Sequence, residues 1–382
     1  MGDFESPHAA FEIKATPSRT NARRPSIWLT FWKGIPRALW ILILAFRWGT
    51  VSVINISRSP LRISFFGGGT DYPTYFQHNP GAVLGASIDK YIYTIALPMA
   101  DFAENRYRIT YRIVEGVDRV EDIKHNVIRA TLLEMGYDKP LNIAIISDLP
   151  GNSGLGSSSS FTVGFIALME YLQGRSITKF DLFKRAVHTE RDLLKENVGI
   201  QDQIHASFGG LNLYQFQKDE LTIRPAQMAT ECRNALDRSL CLVYTGIQRH
   251  ASATVQEQLK NTEEKKIQKD LTHLVKLCHD GLALLEGRNP QAMLSDLGKL
   301  VSEGWETKRR LSTSVTLPQI DATYDEAMRL GAYGGKLCGA GAGGFLLFMA
   351  PDHVQSKMIE MFGHKSFVKI SLEDAGASII SR

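Results

Sequence analysis

The chain has 382 residues, room for two domains of ordinary size, with 44% apolar and 22% charged residues in a normal globular balance. Its formal charge is +4 and its cationic residues form no long block, which excludes a dedicated nucleic-acid binder, while the mild positive bias suits small anionic ligands. Cys232, Cys241, Cys278 and Cys338 follow neither metal-ligand nor disulfide-framework spacing, so a reducing cytoplasm is the expected compartment.

Residues 1–50 begin with a basic, polar stretch and end in an apolar core, Ala38 to Phe46. That core is too short for a membrane span, which needs roughly 20 apolar residues. A signal peptide does not fit either, because Arg47 and Trp48 stand where a small-residue cleavage site belongs. These residues are expected to be a disordered or non-native extension that contributes nothing to catalysis.

Val51 to Ile56 and Arg62 to Phe66 read as strands, rich in β-branched and aromatic residues, and the second runs into Gly67-Gly68-Gly69-Thr70-Asp71. Tyr107 to Val114 alternates as a strand, Val120 to Met135 has helical spacing, and Leu141 to Ile146 returns to strand. Pro150-Gly151-Asn152-Ser153-Gly154-Leu155-Gly156-Ser157-Ser158-Ser159-Ser160 follows, with helices predicted over Ser157 to Leu172 and Lys179 to Lys195. Leu211 to Phe216 and Ser239 to Tyr244 are predicted strands. The chain is then helix-rich from His250 to Glu286, Gln291 to Arg310 and Leu317 to Leu330. It closes with Lys336-Leu337-Cys338-Gly339-Ala340-Gly341-Ala342-Gly343-Gly344-Phe345 and a strand, helix and strand from Phe345 to Ser371. The mix predicts an α+β protein of two layered domains, 51–225 and 235–382.

The segment at 150–160 carries the most chemistry. Glycines let the backbone turn its N–H groups inward, and the helix start adds unpaired donors and a partial positive charge. The result is a cradle for an anion such as a nucleotide phosphate, with serine hydroxyls as further donors and as ligands suited to Mg²⁺. It is not a Walker A loop, since no Lys follows the last Gly. Taken alone, it also has a plainer, less favoured reading as a small-residue turn with a serine cap.

Three small-residue segments in this order resemble the signature motifs of the GHMP kinases, the galactokinase, homoserine kinase, mevalonate kinase and phosphomevalonate kinase superfamily. Within it, Gly67-Gly68-Gly69-Thr70-Asp71, Gly199-Ile200-Gln201-Asp202-Gln203 and Trp305-Glu306-Thr307-Lys308-Arg309 are most similar to the D-glycero-D-manno-heptose 7-phosphate kinases. Fucose-type sugar kinases share several of these features. The resemblance implies an N-terminal domain like ribosomal protein S5 domain 2, a ferredoxin-like C-terminal domain, and an active site between them.

It also implies roles. Pro150, Gly151, Gly154, Leu155, Gly156, Ser157, Ser158, Ser159, Gly339 and Gly341 would hold ATP, with Ser158 and Glu190 on Mg²⁺. Asp202, twelve positions after Glu190, would accept or orient the proton of the sugar hydroxyl, with Arg62 beside it. Gly68, Gly69, Thr70 and Asp71 would meet the sugar, and Lys308 and Arg309 its phosphate. Ser160 departs from the family's usual Ala. Each residue also has a plainer reading: a surface carboxylate for Glu190, a first-turn acid for Asp202, a capped turn for Thr70 and Asp71, a solvated helix face for Lys308 and Arg309.

The leading expectation is a kinase that phosphorylates the anomeric hydroxyl of D-glycero-α-D-manno-heptose 7-phosphate, for nucleotide-activated heptose and surface polysaccharide. A kinase for a free sugar such as L-fucose or galactose is the alternative within the same class, and a non-catalytic sugar and nucleotide sensor the alternative outside it. The expected partners are the sugar phosphate and ATP, with no nucleic acid, no membrane span and a homodimer as the compatible assembly.

Overall fold

The computed structural model describes residues 54–100, 104–248 and 252–381. The expectations for residues 1–50, and for a strand beginning at Val51, lie outside them. Strand β1 (Asn55–Phe66) is one continuous run where two strands were expected. Pro60 sits inside it at a register shift against β2 (Gly81–Pro98), an irregular position that tolerates a residue without an N–H. Between them lies the short helix α1 (Pro73–Phe76). The first half of β2 is buried on both faces, so no polar–apolar alternation marks it in the sequence.

Tyr107 to Val114, expected as one strand, is instead a hairpin of β3 (Tyr107–Thr110) and β4 (Val114–Val117). The helix expected over Val120 to Met135 reduces to a 3₁₀ turn and α2 (Asn126–Glu134). Next come β5 (Leu141–Ser147), α3 (Ser157–Leu172), α4 (Lys179–Val187), a π-helical turn (His188–Leu193), α5 (Gln201–Phe208), β6 (Leu211–Gln217) and β7 (Glu220–Pro225). The second half holds α6 (Thr230–Ser239), β8 (Leu240–Tyr244), α7 (Ser252–Glu263), α8 (Gln268–Leu285), α9 (Pro290–Arg309) and α10 (Pro318–Leu330). It ends with β9 (Gly334–Leu337), β10 (Phe345–Met349), α11 (Asp352–Phe362), β11 (Phe367–Lys369) and β12 (Ser378–Ser381).

Two sheets organise these elements. The first runs β12-β1-β2-β5-β3-β4, with β6 and β7 added beside β2. The second runs β11-β8-β10-β9 with antiparallel neighbours, the 4-1-3-2 strand order of a ferredoxin-like domain. One part of the sequence-based division needs correcting: Ser378–Ser381, inside the expected second domain, pairs with Asn55 to Arg58 and closes the edge of the first sheet.

β10 reads Phe-Leu-Leu-Phe-Met and is buried throughout because helices cover both its faces. Leu346 and Phe348 pack with Ile320, Tyr324, Val354 and Met358 of α10 and α11. Leu347 and Met349 join the large core that also takes in Leu277 of α8, Val301 of α9 and Phe66 of β1. That shared core fixes the two sheets relative to each other, and the candidate site lies where they meet.

Candidate active site

Helix α3 begins at Gly156, whose φ of 74° lies in the left-handed region. A side chain there would be strained, and its Cβ would stand 3.2 Å from both Arg62 Cγ and Asp202 Cγ. Gly154, Gly156, Ser157, Ser158 and Ser159 line a cleft of about 620 Å³, so the N–H groups and hydroxyls of the first turn face one space. Asn152 lines it too, whereas Pro150, Gly151 and Leu155 do not. Leu155 is buried and its carbonyl accepts from the Arg62 N–H at 3.1 Å. Ser160 is buried as well, and its hydroxyl donates to the Pro60 carbonyl at the irregular position of β1, which gives the departure from Ala a structural use.

Arg62 and Asp202 converge at the floor of the cleft from β1 and the first turn of α5. Arg62 Nε donates to Asp202 Oδ1 at 2.7 Å, and Arg62 Nη1 donates to the Gly154 carbonyl at 2.6 Å. The guanidinium fork thus ties the acidic side chain to the serine-bearing loop. Among the described residues Asp202 Oδ2 has no hydrogen-bond partner, and Asp202 lines the cleft.

Glu190 is completely buried, not a surface residue. The helix carrying it is α-helical only to Val187, then opens into the π-helical turn; the wider turn brings Thr189 and Glu190 inward together. Ser159 Oγ donates to Glu190 Oε2 at 2.8 Å, and Gln203 Nε2 donates to the same oxygen. Burial raises this carboxyl to about 7, with the hydroxyls of Thr162 and Ser159 acting against the shift. Oε1 is buried without a partner. Glu190 does not itself line the cleft and reaches it through Ser159. An orphaned carboxylate oxygen next to a serine-lined wall is a hard-oxygen donor set of the kind Mg²⁺ takes.

The first glycine loop divides its duties. Gly68, Gly69 and Asp71 line the cleft. Asp71 Oδ1 accepts from the Gly69 N–H at 3.0 Å, and Oδ2 accepts from Gln201 Nε2 at 3.0 Å and from the Gln201 N–H at 3.3 Å. Burial raises its pKa, opposed by the Gly69 hydrogen bond. Thr70 faces inward: its hydroxyl donates to the Gly67 and Ala82 carbonyls and accepts from the Ala82 N–H. Its one proton is shared between those carbonyls and the residue is fully buried, so the structure does not offer Thr70 to a ligand.

The cationic run splits in the same way. Lys308 lines the cleft and is buried; Nζ donates to the Gly339 carbonyl and, at 3.4 Å, to that of Leu337. Arg309 points away, paired with Glu306 and Asp321 at 3.1 Å each, and Arg310 is paired with Asp270. Of the third loop, Gly339 and Ala340 line the cleft, while Gly341 packs against Val315. Cys338 is buried between them and the core.

Family models match one segment in each half of the chain: the GHMP kinases N terminal domain matches residues 122–210 and the GHMP kinases C terminal domain matches residues 291–364. The chain belongs to the GHMP kinases. It is an enzyme, a sugar kinase that uses ATP to phosphorylate an alcohol oxygen. It is similar to the D-glycero-alpha-D-manno-heptose 7-phosphate kinase of Campylobacter jejuni subsp. jejuni, with 29% identity over 80% of this chain and 91% of that one. It is 25% identical to the galactokinase of Pyrococcus furiosus over 75% of this chain and 86% of that one. Its fold matches the crystal structure of a D-glycero-D-manno-heptose 1-phosphate kinase from Bacteroides thetaiotaomicron, with a TM-score of 0.68, 20% identity, and coverage of 85% of this chain and 98% of that one. The two-domain GHMP kinase fold is the architecture described above.

In this GHMP kinase, sequence reasoning passes over several cleft residues: Tyr72, Glu196, Asn197, Gln201, Gln256 and Gln258. Gln201 could have been found, since it flanks Asp202 at the start of a predicted helix. Gln258 could not, because α7 reads as one more charged surface helix.

Lys308 also gives the kinase a pH signature. Burial, then Lys336, lowers its ammonium to about 7 from an ordinary 10.5. Between those values the native chain has released a proton that the unfolded chain still holds, so stability rises with pH over that interval. Lys308→Met removes this contribution and should flatten the rise of melting temperature between pH 7 and pH 10. Lys336, lowered to about 8 chiefly by burial, leaves a smaller residual slope. A Met variant with the wild-type slope would contradict the assignment.

Proposed function

We propose that this kinase transfers the γ-phosphoryl group of ATP to the anomeric hydroxyl of D-glycero-α-D-manno-heptose 7-phosphate, forming the 1,7-bisphosphate for nucleotide-activated heptose and surface polysaccharide. The observation that carries the reading is the Arg62–Asp202 pair, set against the serine-lined mouth of α3 in one cleft. The likeness to the Campylobacter heptose 7-phosphate kinase over most of both chains supports the choice of sugar. A cytoplasmic location, where ATP is abundant and thiols stay reduced, goes with it.

Each residue then has a task. The N–H groups at Gly154 and Gly156 and the hydroxyls of Ser157, Ser158 and Ser159 hold the triphosphate, with Gly339 packed directly against Gly154. Ser158 and Glu190 supply the oxygen donors for Mg²⁺, whose charge, when bound, offsets that of the phosphates. Asp71, Gly68 and Gly69 meet the sugar hydroxyls. Asp202 Oδ2 orients the acceptor hydroxyl and takes its proton as the sugar oxygen bonds to phosphorus and the bond to the ADP oxygen breaks. Arg62 holds Asp202 Oδ1 and so keeps the carboxylate aimed. Lys308, held by the Gly339 carbonyl on the cleft lining, brings positive charge to the anionic reactants.

A substrate screen tests the proposal: heptose 7-phosphate, galactose and L-fucose, each with ATP, read by ADP release and by phosphorus NMR of the product. Heptose 7-phosphate should lead by a wide margin in kcat/KM, with the new phosphate on the anomeric carbon. A preference for a free sugar would reverse the choice. ATP binding without ADP release on any acceptor would favour a sensor.

A further inference from the structure

The acceptor side of the cleft holds two carboxamides that phosphoryl transfer itself does not use. The amide of Gln201 has a defined direction: Nε2 donates to Asp71 Oδ2 at 3.0 Å, and the opposite orientation would set two oxygens against each other. Its free end is therefore Oε1, an acceptor that is buried without a protein donor. Folded chains rarely leave such an oxygen unsatisfied.

Gln258 is the second. It comes from α7, a helix of the second half of the chain, yet lines the same cleft and is only 6% exposed. Among the described residues its side chain has no hydrogen-bond partner. Nε2 stands where a side chain on Gly69 would be, 2.5 Å from that residue's ideal Cβ position. Its helix is firmly anchored: Glu257 accepts from Ser312 Oγ at 2.8 Å and from the Thr313 N–H at 2.9 Å, and Thr254 Oγ1 lies 3.0 Å from Ser314 Oγ. An amide that opens to the cleft, unpaired by the protein and carried on a fixed helix, is preorganised for a polar ligand.

We infer that Gln258 is a specificity-determining residue whose amide hydrogen-bonds a hydroxyl of the acceptor sugar alongside Gln201. The inference rests on the sugar-kinase reading for the identity of the acceptor. Gln201 offers an acceptor only, whereas Gln258 offers both a donor and an acceptor. Two neighbouring hydroxyls satisfy the set: one donates to Gln201 Oε1 and the other accepts from Gln258 Nε2. An acceptor lacking one of them leaves a buried polar group unpaired, the arrangement by which a site rejects near-analogues.

The test compares wild type, Gln258→Leu and Gln258→Asn, with heptose 7-phosphate, galactose and L-fucose as acceptors. It measures kcat and KM for each, ATP affinity, direct acceptor binding by calorimetry, and thermal melting. Leu should lower kcat/KM for the preferred acceptor by about 10- to 100-fold, mostly through KM, and leave ATP affinity within about twofold. Asn, with its amide one methylene shorter, should fall between, and it carries the comparison if Leu does not fold. A Leu variant within about twofold of wild type for the preferred acceptor overturns the inference, as does an equal loss of ATP and acceptor affinity. Wild type that turns over one of these sugars confines such a failure to Gln258; wild type that neither binds nor phosphorylates any of them overturns the sugar reading and this inference together.

Discussion

Replacing Asp202 by Asn should lower kcat by about 10³-fold while changing ATP affinity by no more than about twofold. The asymmetry follows from where the residue sits. In the proposed mechanism Asp202 works on the acceptor hydroxyl, whereas α3 and the loop before it hold the triphosphate, and all of them line one cleft. Asn keeps the size but loses the charge, so it can neither take the hydroxyl proton nor balance the buried Arg62, which donates to Oδ1 at 2.7 Å. Arg62 would still hold the Gly154 carbonyl, keeping the cradle in shape. A mainly dissociative transition state asks little of a base, so part of the loss would come from misorientation of the hydroxyl. Single-turnover kinetics with an independent ATP binding measurement separates these terms. Near-normal turnover would remove Asp202 from the mechanism.

Gly154→Ala should damage cleft and fold together, lowering kcat/KM by about 10²-fold or more and destabilising the fold by about 1–3 kcal/mol. Gly154 has a φ of 79°, so any side chain is strained before it meets a neighbour. An added Cβ would then lie 2.6 Å from the Cys338 carbonyl oxygen and 3.2 Å from the Gly339 nitrogen. Both are backbone atoms of the third loop, which cannot rotate away as a side chain would. The two loops must part, and with them move the carbonyl that Arg62 holds and the Gly339 wall that Lys308 secures. Melting temperature and ATP affinity should fall together with rate, unlike the Asp202 variant. A fully active Ala variant would show that the two loops do not jointly shape the nucleotide side.

The cradle at 150–160 was legible because its chemistry is local: glycines, a helix start and consecutive hydroxyls sit together in the chain. Arg62, Asp202 and Glu190 came only through the family resemblance, since residues so far apart in sequence reveal nothing of their separation in space. Thr70 and Asp71 show the limit from the other side. Adjacent and similar on paper, they diverge because Asp71 opens to the cleft while β2 captures the Thr70 hydroxyl. Lys308 and Arg309 diverge likewise: Arg309 turns to Asp321 on α10, a partner that no run of basic residues announces. In the fold, the long helices from α3 onward and β10 were readable from apolar period and run length, whereas α6, in the stretch taken as the join between domains, was not. β2 was not, because burial on both faces erased its alternation, and neither was β12, whose place depends entirely on a distant strand.

That last pairing matters for how the protein is made. Asn55 hydrogen-bonds through its strand to the neighbourhood of Ser381, so the ribosome emits β1 long before its neighbour exists. One flank of a strand with buried apolar residues stays open while the whole second half of the polypeptide is synthesised, an invitation to wrong partners during translation. A tag or truncation at the carboxyl end would therefore be felt at Asn55 to Arg58 of the first sheet rather than in the second.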